Sequence, residues 1–243
     1  MQRPKLRDNR GKKPFELYPF GQVPDSYIIE MAKWMTYYFA FGKSDISGED
    51  WGDIFAKSIG GEHLGKPLGL ADVIYEGMAW SVKSVKISHP HKQTKIRVIS
   101  GRCSPDYSYG ISDPHEDVQL TGTTVLSIWN ERINVAKDTY EPLRSSILVR
   151  NFGMLEFSLF EHEPLRYNTR DYEWRENKKG NLEGFDRGTD EHRFTWQPHG
   201  SQFTIIYDIP ASVQKFKIKR PPVFDVETTM TNMGFDPNWV TIL

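Results

Sequence analysis

The sequence predicts a mixed α/β fold in the order helix, three strands, helix, strand, followed by an antiparallel β-rich extension. Three observations predict it. Apolar residues recur at helical spacing over 26–41 and again beyond residue 121, whereas from residue 70 the period falls to two. The composition, 13% aromatic with 19 Gly and 15 Pro, favours many strands and turns over a helical bundle. At 243 residues the chain can bury a sizeable core, as one globular domain or a core with an elaboration.

Charge and hydropathy narrow the function classes. Lys and Arg total 31 against 32 Asp and Glu, a formal charge of -1, which excludes a wholly electrostatic polyanion binder; any nucleic-acid contact must use a local basic surface. Mean hydropathy is -0.57 and no apolar run approaches the ~20 residues needed to cross a bilayer, so a soluble protein without a membrane partner is expected. The first residues, Met1-Gln2-Arg3-Pro4-Lys5-Leu6-Arg7, lack the apolar stretch of a secretory signal, and the single cysteine, Cys103, cannot form an internal disulfide. Both point to a reducing cytoplasm.

The elements follow in order. Residues 1–24, with Arg3, Lys5, Arg7, Arg10, Lys12 and Lys13 and little apolar periodicity, read as a mobile or loosely docked arm. Asp25-Ser26 caps a helix over 26–41, with Ile28, Ile29, Ala32, Met35, Tyr38 and Phe39 at helical spacing and Gly42 ending it. A second helix starts at Ser47 and stops at Gly60-Gly61; Trp51, Ile54, Phe55 and Ser58 share one face, and Glu49 and Asp53 lie one turn apart on another. Residues 70–75, 78–87 and 95–100 read as three neighbouring antiparallel strands. A polar loop spans 101–116. Thr121 then caps a long helix with the stripe Val125, Leu126, Trp129, Ile133 and Ala136, and 145–150 reads as a buried strand. Further strands are expected over 154–160, 172–175, 193–196, 203–209 and 216–219.

The stretch that carries chemistry lies in the first two of the three strands. Asp72 sits early in one of them, and Ser81 and Lys83 follow on the next with the same parity, so they project to one face while Val82 points to the other. A bend at Glu76-Gly77 would bring Asp72 beside them. Phosphodiester hydrolysis uses this grouping, with carboxylate oxygens for a hard divalent cation and a lysine to orient the attacking water. The same residues also fit a plain exposed strand edge, guarded by Lys83 and Lys86.

With Asp72, Ser81-x-Lys83 and the helix–strand order over 47–151, the sequence resembles the PD-(D/E)XK nuclease superfamily, whose core is αβββαβ. The resemblance implies a mixed α/β core at 47–151, preceded by an arm and helix at 1–46 and followed by a β-rich elaboration at 152–243 that would recognise DNA. It also implies Mg²⁺-dependent, sequence-specific cleavage of double-stranded DNA by a homodimer, in the manner of a type II restriction endonuclease. Mn²⁺ would substitute for Mg²⁺, and a cognate DNA methyltransferase would accompany the enzyme. Asp72 matches the family's first acid and Lys83 its lysine; Ser81 stands where most members carry an acid. The missing carboxylate is expected from Glu49 or Asp53 on the preceding helix, with Glu62 and Glu76 less favoured because each falls in a predicted turn.

DNA contacts are expected from three places. Ser100 and Arg102 follow the third strand and suit phosphate or guanine contact, Lys178 and Lys179 occupy a hairpin tip, and Gln197, His199 and Gln202 offer donors for base edges. Each also fits an ordinary solvated turn. His89-x-His91 reads as a surface turn, and no phosphate-binding glycine loop or Gly-x-Ser-x-Gly is present. Other readings are a repair or resolvase-type nuclease that nicks structured DNA, or a β-rich protein that binds nucleic acid or carbohydrate without catalysis.

Overall fold

Two sheets of different character organise residues 15–242, which the computed structural model of the chain describes. Helices α1 (Asp25–Ala40) and α2 (Gly48–Ile59) precede an antiparallel meander of β1 (Glu62–Leu68), β2 (Ala71–Tyr75) and β3 (Met78–Lys86). The chain then crosses to the second sheet with β4 (Lys95–Arg102) and continues through a short helix, α3 (Pro105–Tyr109), and the long α4 (Val118–Lys137). It returns with β5 (Leu143–Asn151), which lies parallel to β3 with Lys83 opposite Ile147. Strands β6 (Glu156–His162), β7 (Tyr172–Glu176), β8 (Leu182–Asp186), β9 (His192–Gln197), β10 (Gln202–Asp208) and β11 (Gln214–Lys217) follow, and then helix α5 (Val226–Met233). The first sheet runs β1-β2-β3-β5-β6-β11 and the second β4-β10-β9-β8-β7. Strand pairing therefore crosses residue 152 in both directions, since β4 belongs to the second sheet and β6 and β11 to the first.

Local chemistry explains the helix ends. Ser47 and Asp50 form a reciprocal capping box at the start of α2, and Gly60 closes it in the left-handed conformation, φ 74°. Two expected caps shift. Asp25 lies inside the first turn of α1 after Pro24, where its charge faces the positive end of the helix dipole. Asp117, not Thr121, caps α4 by accepting from the Leu120 N–H at 2.8 Å; Thr121 is buried in the helix and donates to the Pro114 carbonyl. Residues 15–24 are also not a loose arm: Tyr18 and Val23 are buried in the core, while residues 1–14 lie outside the described part.

The three-strand expectation changes in one respect. The first two strands pair as expected, but the third, β4, pairs with β10 in the other sheet, and the meander is completed by β1. The reason is that β3 must bury both faces. Val73, Trp80 and Val82 pack in a core with α1 and α2, while Ala71 and Ala79 pack in a second core with α4 and the aromatic side of the second sheet. Both faces of β5 are covered too, so its residues from Leu143 to Arg150 are all buried. Among the described residues no helix is long and apolar enough to cross a membrane.

A buried ion pair, Glu161 on β6 with Arg144 on β5, ties the first sheet to the segment before α1. The Glu161 carboxylate accepts from Tyr18 Oη at 3.0 Å, Trp80 Nε1 at 3.0 Å, the Gly21 N–H at 2.9 Å and Arg144 Nη1 at 3.1 Å. Its side chain has no exposed surface and that of Arg144 only 2%. Such a pair holds only while complete, because removing one partner strands the other charge. Glu161→Ala should therefore cost about 3–5 kcal/mol of unfolding free energy in urea titration; a loss under about 1 kcal/mol, the scale of an exposed pair, would contradict this role.

Candidate active site

A two-residue turn sets the register that builds the site. Glu76 and Gly77 both have positive φ, 43° and 87°, the geometry that joins two antiparallel strands without splaying them. Val73 then faces Trp80, and Asp72 comes alongside Ser81. The Asp72 Oδ2 atom accepts from the Val82 N–H at 2.9 Å, from Ser81 Oγ at 3.3 Å and from Lys83 Nζ. Asp72, Ser81 and Lys83 thus share one carboxylate-centred cluster; Ser81 is buried, whereas Asp72 and Lys83 retain 18% and 23% of their side-chain exposure.

Asp72 and Lys83 line a cleft of about 540 Å³. Its wall takes Glu49 and Gly52 from α2, His63 from β1, Lys86 from β3, Arg150 from β5, and Arg97 and Ile99 from β4. Glu49 is exposed on the first turn of α2 and shares the cleft with Asp72. Asp53, one turn later, does not line the cleft: its Oδ1 lies 2.7 Å from His63 Nδ1. The His63 ring packs against Gly52, where an added Cβ would sit 2.4 Å from Nε2, so any larger residue there would push the ring out of place. Glu62 is exposed on β1 rather than in a turn, Glu76 occupies the β2–β3 turn, and neither lines the cleft.

The cationic wall is held in place from behind. Arg150 donates to Asp45 Oδ1 at 3.0 Å, to Ser84 Oγ at 3.2 Å and to the Ile46 carbonyl at 2.7 Å, and Lys86 Nζ lies 3.0 Å from Asp45 Oδ2. Burial would push the Asp45 carboxyl up, but the hydrogen bonds from Lys86 and Arg150 outweigh it and hold the group below the ordinary carboxylate range. Arg97 reaches in from the second sheet, its guanidinium donating to Thr195 Oγ1. His63, Asp45, Arg97 and Arg150 went unnoticed in the sequence. The polar–apolar alternation of Lys95-Ile96-Arg97-Val98 is a usable signal for Arg97, because it puts that side chain on the face opposite Ile96 and Val98.

The candidate DNA contacts gather at one end of the second sheet. Arg102, Gln202 and Gln197 stand abreast on β4, β10 and β9. The turn holding exposed His199 and the β7–β8 turn holding exposed Lys178 and Lys179 project from the same end, since Leu182 pairs with both Glu176 and Trp196. Ser100 does not join them: it is 3% exposed and its hydroxyl donates to the Val98 carbonyl, so it cannot meet a ligand. His91 lies in a surface turn with Nε2 3.0 Å from the Phe157 carbonyl.

Among the described residues no group of three or more His, Cys, Asp or Glu side chains is placed to hold a metal ion, so a closed cage of protein ligands is absent there. Asp72 and Glu49 are the two carboxylates that line the cleft, and one or two carboxylates with retained waters is a donor set open to Mg²⁺. No family model, curated protein or solved structure matches the chain.

Because the folded-state pKa of Asp45 lies below its unfolded value, its contribution to stability is full above the ordinary carboxylate range and disappears as pH falls through the folded value. Asp45→Asn should accordingly be less stable than the parent by about 1–2 kcal/mol near neutral pH, with the gap closing as pH falls below the ordinary carboxylate range. Thermal midpoints measured across that range check this; a gap that does not change with pH would remove Asp45 as the clamp on Arg150 and Lys86.

Proposed function

We propose that the protein is a Mg²⁺-dependent endonuclease of the PD-(D/E)XK type that cuts double-stranded DNA at specific sequences, as type II restriction endonucleases do. The observation that carries this reading is the joining of the Asp72 carboxylate and the Lys83 ammonium on adjacent strands at the wall of a cleft ringed by Lys86, Arg97 and Arg150. The setting supports it as well: α2, an antiparallel three-strand meander, α4 and a strand parallel to the third follow in the order of that core.

Asp72 and Glu49 are the residues that would hold Mg²⁺, which supplies positive charge to acidify water and to stabilise negative oxygens on phosphorus. Lys83, fixed by Asp72, orients the attacking water. The cations Arg150, Lys86 and Arg97 receive the scissile phosphate and its neighbours, whose charge grows as the water oxygen bonds to phosphorus and one ester bond breaks. Ser81 keeps Asp72 in place with a neutral hydroxyl, so only one strand carboxylate remains. Arg102, Gln202 and Gln197 read base edges, Arg102 being the side chain suited to guanine and the glutamines to adenine, while Lys178, Lys179 and His199 meet the backbone. A bulge at Ser100 leaves four pairing steps between Arg97, opposite Ile206, and Arg102, opposite Gln202, about 13 Å along the sheet and the rise of roughly four base pairs. Cutting both strands of a palindrome calls for two copies of the chain. A reducing cytoplasm suits the lone Cys103, which is free, buried and has its thiol pushed up to about 12 by burial.

Plasmid DNA incubated with Mg²⁺, with Ca²⁺ and without divalent ion tests the proposal. Discrete linear fragments with Mg²⁺ alone are expected. Nicking without linearisation would shift the assignment to a repair or resolvase-type enzyme, and the absence of any cutting would favour a binding protein. Lys83→Ala should slow cutting by about 10²–10⁴-fold while leaving DNA binding in Ca²⁺ close to that of the parent; unimpaired cutting would refute the role given to Lys83.

A further inference from the structure

The last stretch of the described chain has no body of its own to fold against. No residue from 221 to 242 is buried, and α5 has no buried residue. Its apolar side chains stand in the open: Phe224 is 51% exposed, Met233 63%, Phe235 46%, Trp239 62%, Val240 60% and Ile242 94%. The stretch is tied at its root, where the Phe224 N–H donates to the Ala40 carbonyl at 2.7 Å and the Phe224 ring meets Phe41 at 5.3 Å. An eight-residue helix without a packed face is marginal in water, so this order needs a surface to lie on.

We propose that residues 221–242 form a clasp that docks on a second copy of this chain, each copy giving its clasp to the other. The chemistry of the segment selects the occupant. It carries Asp225, Glu227 and Asp236 and no Lys or Arg, a charge that nucleic acid repels and the opposite of a basic membrane-surface helix. A protein surface remains. The clasp is rooted at the C-terminal end of α1, beside Tyr37 and Phe41, 50% and 48% exposed, with Ile29, 68% exposed, near the start of the same helix, so one chain carries both an apolar donor and an apolar acceptor. That is the arrangement a two-fold exchange requires. At roughly 100–200 Å² for each exposed large side chain, one clasp offers on the order of 800 Å², the share per partner of a standard stable interface. The proposal deepens the two-copy part of the nuclease reading but rests on no cleavage step.

Light scattering after size-exclusion chromatography of the full chain, without DNA or Mg²⁺, is the test. A mass near twice 28.2 kDa is expected. The double variant Phe235→Glu/Trp239→Glu should raise the dissociation constant at least about tenfold, while its circular dichroism and thermal midpoint at a concentration where both proteins are monomeric stay those of the parent. Ile242→Asp, at the most exposed site, should weaken association in the same direction and serves if the double variant misfolds. A parent that is monomeric at every concentration overturns the proposal, as does a double variant that dimerises with the parent's affinity. So does a monomer whose Trp239 is shielded from iodide quenching, because the clasp would then lie on its own chain. Absence of DNA cutting leaves this test unaffected.

Discussion

A carboxylate sealed from water has to find all its donors inside the protein, and in the first sheet that requirement fixes four pieces of chain at once. Glu161 on β6 draws in Tyr18 and Gly21 from the segment before α1, Trp80 from β3 and Arg144 from β5. None of these can shift without leaving a buried polar group unpaired, which costs more than a lost contact. Trp80 also sits one residue before Ser81 and opposite Val73, so the network that positions Trp80 positions the strand carrying Lys83 and, through the register, Asp72. The candidate site is thus built on a strand held by that network, which favours a fixed geometry over an adaptable one.

The two sheets divide the work. The first brings an acid and a lysine together by simple hairpin register and surrounds them with cations held by Asp45. The second turns its aromatic side inward on α4 and contributes Arg97 to the cleft, while its far end gathers Arg102, Gln197 and Gln202 in one row. Since β4 takes part in both, the spacing between the cleft and that row is set by a single strand rather than by a linker. Serine at position 81 fits this plan physically: a second carboxylate there would lie against Asp72 and compete with it for Lys83, whereas a hydroxyl donates to Asp72.

What could be read in advance was local. The capping residue Ser47 and the stop at Gly60 follow from propensity over a few positions, and Asp72 meets Lys83 because a two-residue turn fixes the register between adjacent strands. The strand β1 escaped because Gly61, Gly65 and Pro67 interrupt its alternation; at the edge of a sheet, where β1 lies, such residues are tolerated. The strand character of 95–100 was legible but not its partner, since β10 lies about a hundred residues later and only the packing of both faces of β3 decides the matter. His63, Arg97 and Arg150 come from three different strands, and no spacing in a linear sequence announces such a meeting.

The lone cysteine has a practical use. Its sulfur is enclosed between the two layers, its carbonyl holds the Trp196 indole, and its thiol is nearly impossible to ionise at neutral pH. A thiol introduced on the surface would therefore be the only one to take a maleimide dye or a spin label. Spectroscopic rulers can be set across the cleft, or between two copies, without first replacing a native residue.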